Sequence, residues 1–469
     1  MKMSMSAMAS DYYVGQATID DLPDDVLLEI FDFYLDDKNL NDIYSADQWH
    51  TPVHVCRRWR SLVFASPHRL DLRLLCSTGR SARVMLDIWP TLPIIQVEYH
   101  HDWSRTSEMT LDNTIAALGH PDRVRHISII HYPGAWDALA AAMQVPFPEL
   151  TYLRLWSRGS SLSVVPCGSA PRLRTLKLRE VPFLAVQNLI MSAGDLVDLA
   201  LLGLGYVSPE SMVACLSSLK RLESLELEIE WFQSLPDQPS PLPQTRAVFP
   251  ALVKFTFNGK SVHLGDFVAR IDTPVLTRLH LSLHRDLVFD TPHLRQFIGR
   301  TRGLKPPKAA RVSFDSWFIR LESPSYYSEL GIVWDGINWD PSSIALVCGQ
   351  LSPFFSLVER LDLVMTSSPF VLGVQYGIEA ALFRELFRPF TDIQGLYVYE
   401  NLVPFIAPAL QELIGERATE VLPNLRDVFL GGSVIPESVQ EAIQPFVDAR
   451  RLSGRPIAIH RWKKEEADG

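Results

Sequence analysis

The sequence predicts an α/β protein: a small N-terminal helical module followed by a long solenoid whose strands form one curved parallel sheet. Three observations predict it. An apolar phrase, Leu-x-x-Leu-x-Leu, recurs between Val124 and Leu430. The copies follow one another at a nearly constant step. Before them, Leu22 to Leu70 carries helical rather than strand periodicity.

The chain opens with MKMSMSAMASDYYVGQA, residues 1–17, which lacks the apolar core of a signal peptide and reads as a disordered tail. The first helix is expected from Leu22 to Leu35. Pro23 suits a first turn, where its missing N–H costs nothing, and Asp24 and Asp25 complement the helix dipole. Val26, Leu27, Ile30, Phe31, Tyr34 and Leu35 follow a helical face, but Leu22, Leu28 and Phe33 lie off it. The helix therefore has more than one apolar face to bury. A second helical pattern covers Val53 to Val63, with Val55, Trp59, Leu62 and Val63 on one side and Arg57, Arg58 and Arg60 on the other; Ser66-Pro67 ends it. Between the two lies a long polar interval, Asp36 to His50, and Pro52 predicts a shortened middle helix. A module of roughly 50 residues buries too little core to stand comfortably alone and needs a partner.

These residues resemble an F-box. Leu22-Pro23 heads the helix, Val26, Leu27, Ile30, Phe31 and Leu35 are the spaced aliphatic and aromatic positions, and Val55-Cys56-Arg57-Arg58-Trp59 matches a Val-Cys-x-x-Trp helix. The resemblance defines an F-box domain at 18–75. It implies docking on a Skp-family adaptor, and through it on cullin and RING subunits. By matching position, the adaptor contacts are Leu22, Pro23, Val26, Ile30, Phe31, Val55, Cys56 and Trp59.

Beyond this module, Ser81 to Trp89 reads as a helix ended by Pro90, and Leu92 to His101 as a first strand. The recurring phrase then has central positions at 127, 153, 176, 199, 225, 255 and 279, spaced by 26, 23, 23, 26, 30 and 24 residues. Later copies centre on 361, 396 and 428, with Val312-x-Phe314 as a degenerate one. Alternating apolar residues make a strand with one buried face. The returns carry helical patterns, as in Phe183 to Met191 and Pro209 to Leu219. Strand plus helix, repeated, stacks into a solenoid in which no unit is stable alone.

The array, 76–460, resembles irregular leucine-rich repeats. The repeat's asparagine is missing: its position holds Arg158, Val181, Leu204, Glu230, Lys260, His284, Thr366 and Ser433, and only Asn401 matches. Three stretches interrupt the array. Ser234 to Thr245 is proline-rich, Arg300 to Arg311 is a basic solvated loop, and Ser323 to Pro341 gathers Tyr326, Tyr327, Trp334 and Trp339, read as packing. Residues 461–469 read as a charged tail.

Composition narrows the function. Apolar residues make up 47% of the chain and charged ones 21%, as in globular proteins, while a net charge of −10 argues against a nucleic-acid or anionic-membrane surface. No apolar run is long enough to span a bilayer. Cys56, Cys76, Cys167, Cys215 and Cys348 form no CxxC pair, which fits a reducing compartment and gives neither a disulfide framework nor a zinc site. The expected location is cytoplasmic, nuclear or both. Phosphate-loop, dinucleotide, zincin and nucleophile-elbow motifs are absent, and no cofactor is expected. His100-His101 beside Asp102 is a weak metal or base candidate, because neighbours on a strand point to opposite faces. Cys56 is read as packing rather than as a nucleophile.

The solenoid's expected function is binding. Residues between the leucines should line the concave face: Tyr152, Arg154, Trp156, Lys177, Arg179, Glu226, Arg278, His280, Tyr397 and Tyr399 are the target-binding candidates, with Asp198, Ala200, Leu202, Lys254, Arg360, Asp362, Asp427 and Phe429 among the others in the same strip. Exposed aromatics and arginines are typical interface anchors. With the F-box resemblance, this implies a non-catalytic substrate-recognition subunit of an SCF-type ubiquitin ligase, positioning an unidentified target protein. The alternative is a repeat scaffold whose F-box-like helices only cap the array; an enzyme with a site hidden in the insertions is a third reading.

Overall fold

The computed structural model describes residues 18–36, 50–67, 69–70, 73–76, 82–88, 94–100, 108–131, 136–157, 167–205, 207–229, 245–284, 292–314, 318–322, 330–335, 348–349, 351–365, 380–413, 420–432 and 437–462. The tail 1–17, the interval between the two F-box-like halves, most of the proline-rich stretch, His101 and Asp102 lie outside them. The described residues fall into two compact units: the first runs to Tyr99 and again from Glu108 to His126, and the second takes His100 and everything from Ile127 on, so that the last residue of β2 and most of β3 belong to it.

The first unit contains α1 (Asp24–Asp36), α2 (His50–Val53), α3 (Arg57–Ala65), β1 (Arg73–Cys76), α4 (Ala82–Ile88), β2 (Ile94–His100) and α5 (Glu108–Leu118). It runs past the expected boundary at residue 75, since β1 pairs with β2 in parallel, Leu74 opposite Ile95. Helix α1 starts directly after Pro23, with Asp24 and Asp25 in its first turn. Its inner face is Leu27, Leu28 and Phe31, all buried. The Phe31 ring meets Trp59 of α3 edge-on at 4.8 Å. The short middle helix predicted by Pro52 is α2. Helix α3 is capped by Cys56, whose Sγ accepts the Trp59 N–H at 3.4 Å.

The second unit is built on a mostly parallel sheet. It is entered through β3 (Val124–His131) and continues with α6 (Trp136–Ala142), β4 (Tyr152–Ser157), β5 (Thr175–Arg179), α7 (Phe183–Ser192), β6 (Asp198–Leu204), α8 (Pro209–Leu216) and β7 (Ser224–Ile229). Next come β8 (Ala247–Val248), β9 (Lys254–Gly259), α9 (Ser261–Val268), β10 (Ile271–Asp272), β11 (Arg278–His284) and α10 (Pro292–Arg300). The chain ends through β12 (Ala309–Phe314), β13 (Phe318–Glu322), β14 (Leu330–Asp335), α11 (Ser352–Phe355), β15 (Arg360–Met365), α12 (Ala380–Phe387), β16 (Gly395–Val398), α13 (Val403–Gln411), β17 (Asp427–Gly431), α14 (Glu437–Leu452) and β18 (Ala458–Trp462).

The recurring phrase is the register of this sheet. Leu153, Leu176, Leu199, Leu225, Phe255 and Leu279 lie opposite one another from β4 to β11, strand by strand. Leu361, Leu396 and Val428 do the same across β15, β16 and β17. All nine are fully buried. The strand period of two puts every such residue on one face, so a slip by one residue would expose the whole ladder. Return helices form where the pattern switches. Helix α8, for example, has Pro209 at its first position and the Ser208 hydroxyl accepting the Ser211 N–H at 3.2 Å.

Between β11 and β15 the order changes to β11-β14-β13-β12-β15. Strand β14 pairs with β11 in parallel, and β13 runs antiparallel to both β14 and β12. An inserted three-stranded meander thus fills the gap between two arrays. It corrects two expectations. Val312-x-Phe314 is not the phrase in register: Ala310 and Val312 lie opposite Leu361 and Leu363. The basic stretch 300–311 runs from the end of α10 into β12 rather than being a loop throughout. Of the aromatic stretch 323–341, only β14 lies within the described residues.

Arginines do part of what an asparagine ladder would do. Arg450, fully buried, donates to the carbonyls of Leu422 (3.3 Å), Pro423 (3.4 Å) and Leu425 (2.8 Å). That holds the turn into β17, where Leu422 sits at φ 53°, a left-handed conformation costly for a leucine. Arg300 donates to Ile271 at 2.9 Å and pairs with Asp272 at 2.8 Å. Arg270, also buried, pairs with Glu210 and caps the Asp266 carbonyl at 2.8 Å. The charged tail starts later than expected, because Arg461 and Trp462 belong to β18, and Trp462 is buried.

Candidate functional site

Two surfaces carry the candidate residues. On the first unit, α1 has a second apolar face pointing outward. Val26, Ile30, Phe33 and Tyr34 are 38%, 42%, 74% and 38% exposed, and Val55, just before α3, is 58% exposed. Val26, Ile30 and Phe33 follow the i, i+4, i+7 spacing of one helix side. Of the predicted adaptor contacts, Pro23, Val26, Ile30 and Val55 are therefore exposed. Leu22 is half-buried, with its carbonyl accepting from Arg58 at 2.6 Å. Phe31 is 2% exposed and packs on half-buried Trp59 inside the module, and Cys56 serves as a helix cap. Phe33, which the sequence places off the expected stripe, is exposed but is not among the predicted adaptor contacts.

On the second unit, the sheet face opposite the buried leucines carries the predicted strip. Tyr152, Arg154, Trp156, Lys177, Arg179, Glu226, Arg278, His280, Tyr397 and Tyr399 all lie on it, half-buried rather than fully open. Strands about 4.8 Å apart shade one another's side chains. Two strip members depart from expectation: Ala200 is 2% exposed and Asp362 is 0% exposed.

At the β4–β5 end, Arg154 lies opposite Lys177 and Trp156 opposite Arg179. The Arg179 guanidinium sits 4.6 Å over the Trp156 ring, and Lys177 Nζ reaches Asp198 at 3.6 Å. Glu226 lies between Ala200 and Thr256. On β9 and β11, Lys254 lies directly opposite Arg278, and His280 lies between Thr256 and Gly331. A Cβ on Gly331 would come within 2.9 Å of His280 Cδ2, so glycine is what lets the imidazole occupy that place. Burial, then Lys254 and Arg278, push the His280 pKa below its ordinary value.

At the β15–β18 end the face closes on itself. Asp362 accepts from Arg360 at 2.7 and 3.2 Å and from Arg311 at 3.5 Å, which explains its burial. The Arg360 guanidinium lies 4.0 Å over Tyr397, Tyr397 stacks on Phe429 at 4.2 Å, and Phe429 on His460 at 4.8 Å. His460 Nε2 lies 2.7 Å from Asp427 Oδ1, and Tyr399 meets Trp462 edge-on. Arg311, His460 and Trp462 are the strip members missing from the prediction. The alternation Ala458-Ile459-His460-Arg461-Trp462 was the signal for the last two.

Among the described residues, no group of three His, Cys, Asp or Glu side chains could hold a metal ion, and no helix is long and apolar enough to cross a membrane. Burial pushes the Cys76, Cys167 and Cys348 thiols up to about 12 and Cys215 to about 11. Those thiols are poor nucleophiles.

No protein-family model and no curated protein matches the sequence. Among solved structures, the chain is similar to the leucine-rich repeat-containing protein LegL7 from Legionella pneumophila, with 13% identity and a TM-score of 0.28 over 82% of this chain and 99% of that one.

Proposed function

We propose that the protein is a non-catalytic substrate-recognition subunit of an SCF-type ubiquitin ligase. In this reading α1–α3 are an F-box that docks on a Skp-family adaptor, which brings cullin and RING subunits. The repeat sheet, of leucine-rich type, holds a target protein, and the complex works in the cytoplasm, the nucleus or both. The work is positioning, raising the effective concentration of target near the transferred ubiquitin.

One observation carries the reading: the outward stripe Val26, Ile30, Phe33 and Tyr34 on a helix whose other apolar face is already packed. A capping module would hide that stripe. A docking module leaves it open, and contiguous exposed apolar side chains mark interaction sites. The Leu-Pro head and the Val-Cys-x-x-Trp helix support the same reading by resemblance.

The test is capture of a purified Skp-type adaptor by the full chain, beside an Ile30→Glu/Phe33→Glu variant. Both positions are exposed, so the variant should fold, as judged by circular dichroism. The expected result is capture by wild type and loss of at least about 100-fold in affinity in the variant, the cost of truncating two interface anchors. Failure of folded wild type to capture the adaptor, or undiminished capture by the variant, would overturn the proposal.

A further inference from the structure

We propose that Lys254, Arg278 and His280 form an anion subsite that holds a carboxylate of an acidic segment in the bound target. The inference rests on the reading that this sheet face receives a target, and it specifies what part of the target the face recognises.

The argument starts from a conflict. Lys254 and Arg278 occupy directly opposite positions on adjacent strands and point to the same face. Like charges so placed destabilise a sheet. Other charges on this face have partners: Lys177 pairs with Asp198, and Arg360 and Arg311 pair with Asp362. Arg154 and Lys177 are also like charges on facing strands, but there Asp198 stands beside the pair. Among the described residues, neither Lys254 nor Arg278 has an ion-pair partner, although Glu226 and Glu228 stand on the next strand, β7. His280 adds a polar ring whose Nδ1 is buried without a hydrogen-bond partner. Gly331 keeps the space that this ring fills.

The result is a half-buried place with two cations, a further potential donor, and no carboxylate paired to either cation among the described residues. Its positive potential is felt locally, since both cations help to depress the imidazole. Reduced solvent access strengthens whatever anion enters. A carboxylate would accept bidentate hydrogen bonds from Arg278 while Lys254 supplies a second charge. The acidic pair on β7 fixes the polarity: the segment must carry its carboxylate over β9–β11 and not over β7. Arrangements that cost stability in the free protein are typical of sites kept for function.

The experiment is fluorescence anisotropy at low ionic strength, with the full chain and a fluorescein-labelled hexaglutamate peptide. A serine–glycine peptide and its singly phosphorylated form serve as the other arms. Wild type should bind hexaglutamate, weaken as salt is added, and ignore the unphosphorylated serine–glycine peptide. Lys254→Ala/Arg278→Ala should bind about tenfold or more weakly, the loss of charge-assisted hydrogen bonds, with a melting temperature no lower than wild type. A merely structural pair would melt lower. Equal binding by the variant, no binding by wild type, or binding of the phosphorylated peptide alone would overturn the assignment. Adaptor capture is read separately. If it survives while hexaglutamate fails to bind, the subsite falls and the docking reading stands; if it fails while the peptide binds, the reverse holds.

Discussion

Two regions of one sheet face, its last strands from β15 to β18 and its middle at β9 and β11, handle charge in opposite ways. From β15 to β18 every prominent group is engaged by its neighbours: two arginines on a buried aspartate, a guanidinium on Tyr397, and a continuous stack through Phe429 to His460. On β9 and β11, Lys254 and Arg278 stand opposite each other with no carboxylate between them. The first region spends its side chains on holding adjacent repeats together. The second leaves them for something outside the chain. The same strand register produces both, so the difference lies in which residue occupies the slots between the leucines.

The comparison breaks most sharply at Asp362. Its carboxylate is inaccessible to solvent, and removing it leaves Arg360 and Arg311 beside each other with their partner gone. Asp362→Ala should cost about 3 kcal/mol, the scale for breaking one side of a buried ion pair. Urea denaturation of the second unit's transition measures it. A cost near zero would mean that the arginines find water easily and that this region is no more self-contained than β9 and β11. Phe429→Ala should cost less, about 2 kcal/mol, because the ring is only half-buried but loses partners on both faces. Phe429→Tyr should be nearly neutral, since the stack survives. Equal losses in the two variants would show that the aromatic ladder adds nothing beyond packing volume.

How much of this was legible beforehand depends on the range of the interaction. The ladder Leu153–Leu176–Leu199–Leu225–Phe255–Leu279 could be read from the sequence because a period of two and a constant step are local facts. The two apolar sides of α1 were legible as an excess of apolar residues, although not which side stays open. That choice depends on Trp59, which takes Phe31 and leaves Ile30 and Phe33 outside. Asp362 looked like an exposed strip residue because nothing near it in sequence announces Arg311, which arrives from β12. The inserted meander was hidden for the same reason: Leu330 pairs with Leu279, a contact that no local pattern encodes. The missing asparagines are a fact of the sequence, but a compensating arginine such as Arg450, under Leu422, acts from a helix whose packing position no local pattern encodes.

The gentlest perturbation probes the middle region at β9 and β11. Lys254→Ala removes one of two like charges on facing strands and should raise stability by about 0.2–0.5 kcal/mol, at the low end of the cross-strand range because both side chains reach solvent. The same change should move His280. Its folded pKa is depressed by burial, by Lys254 and by Arg278. The unfolded chain therefore binds more protons than the folded one across the window between the depressed value and an ordinary histidine pKa. Stability from this group is present above the ordinary value and is lost as pH falls through the window. Removing Lys254 takes away one of the depressing charges, so the His280 resonance followed by NMR should titrate at higher pH than in wild type, and the acid-side loss of stability at this position should shrink. A His280 titration unmoved by Lys254→Ala would mean that the ammonium points away from the ring, and the β9–β11 region would then lack the convergence that sets it apart from β15–β18.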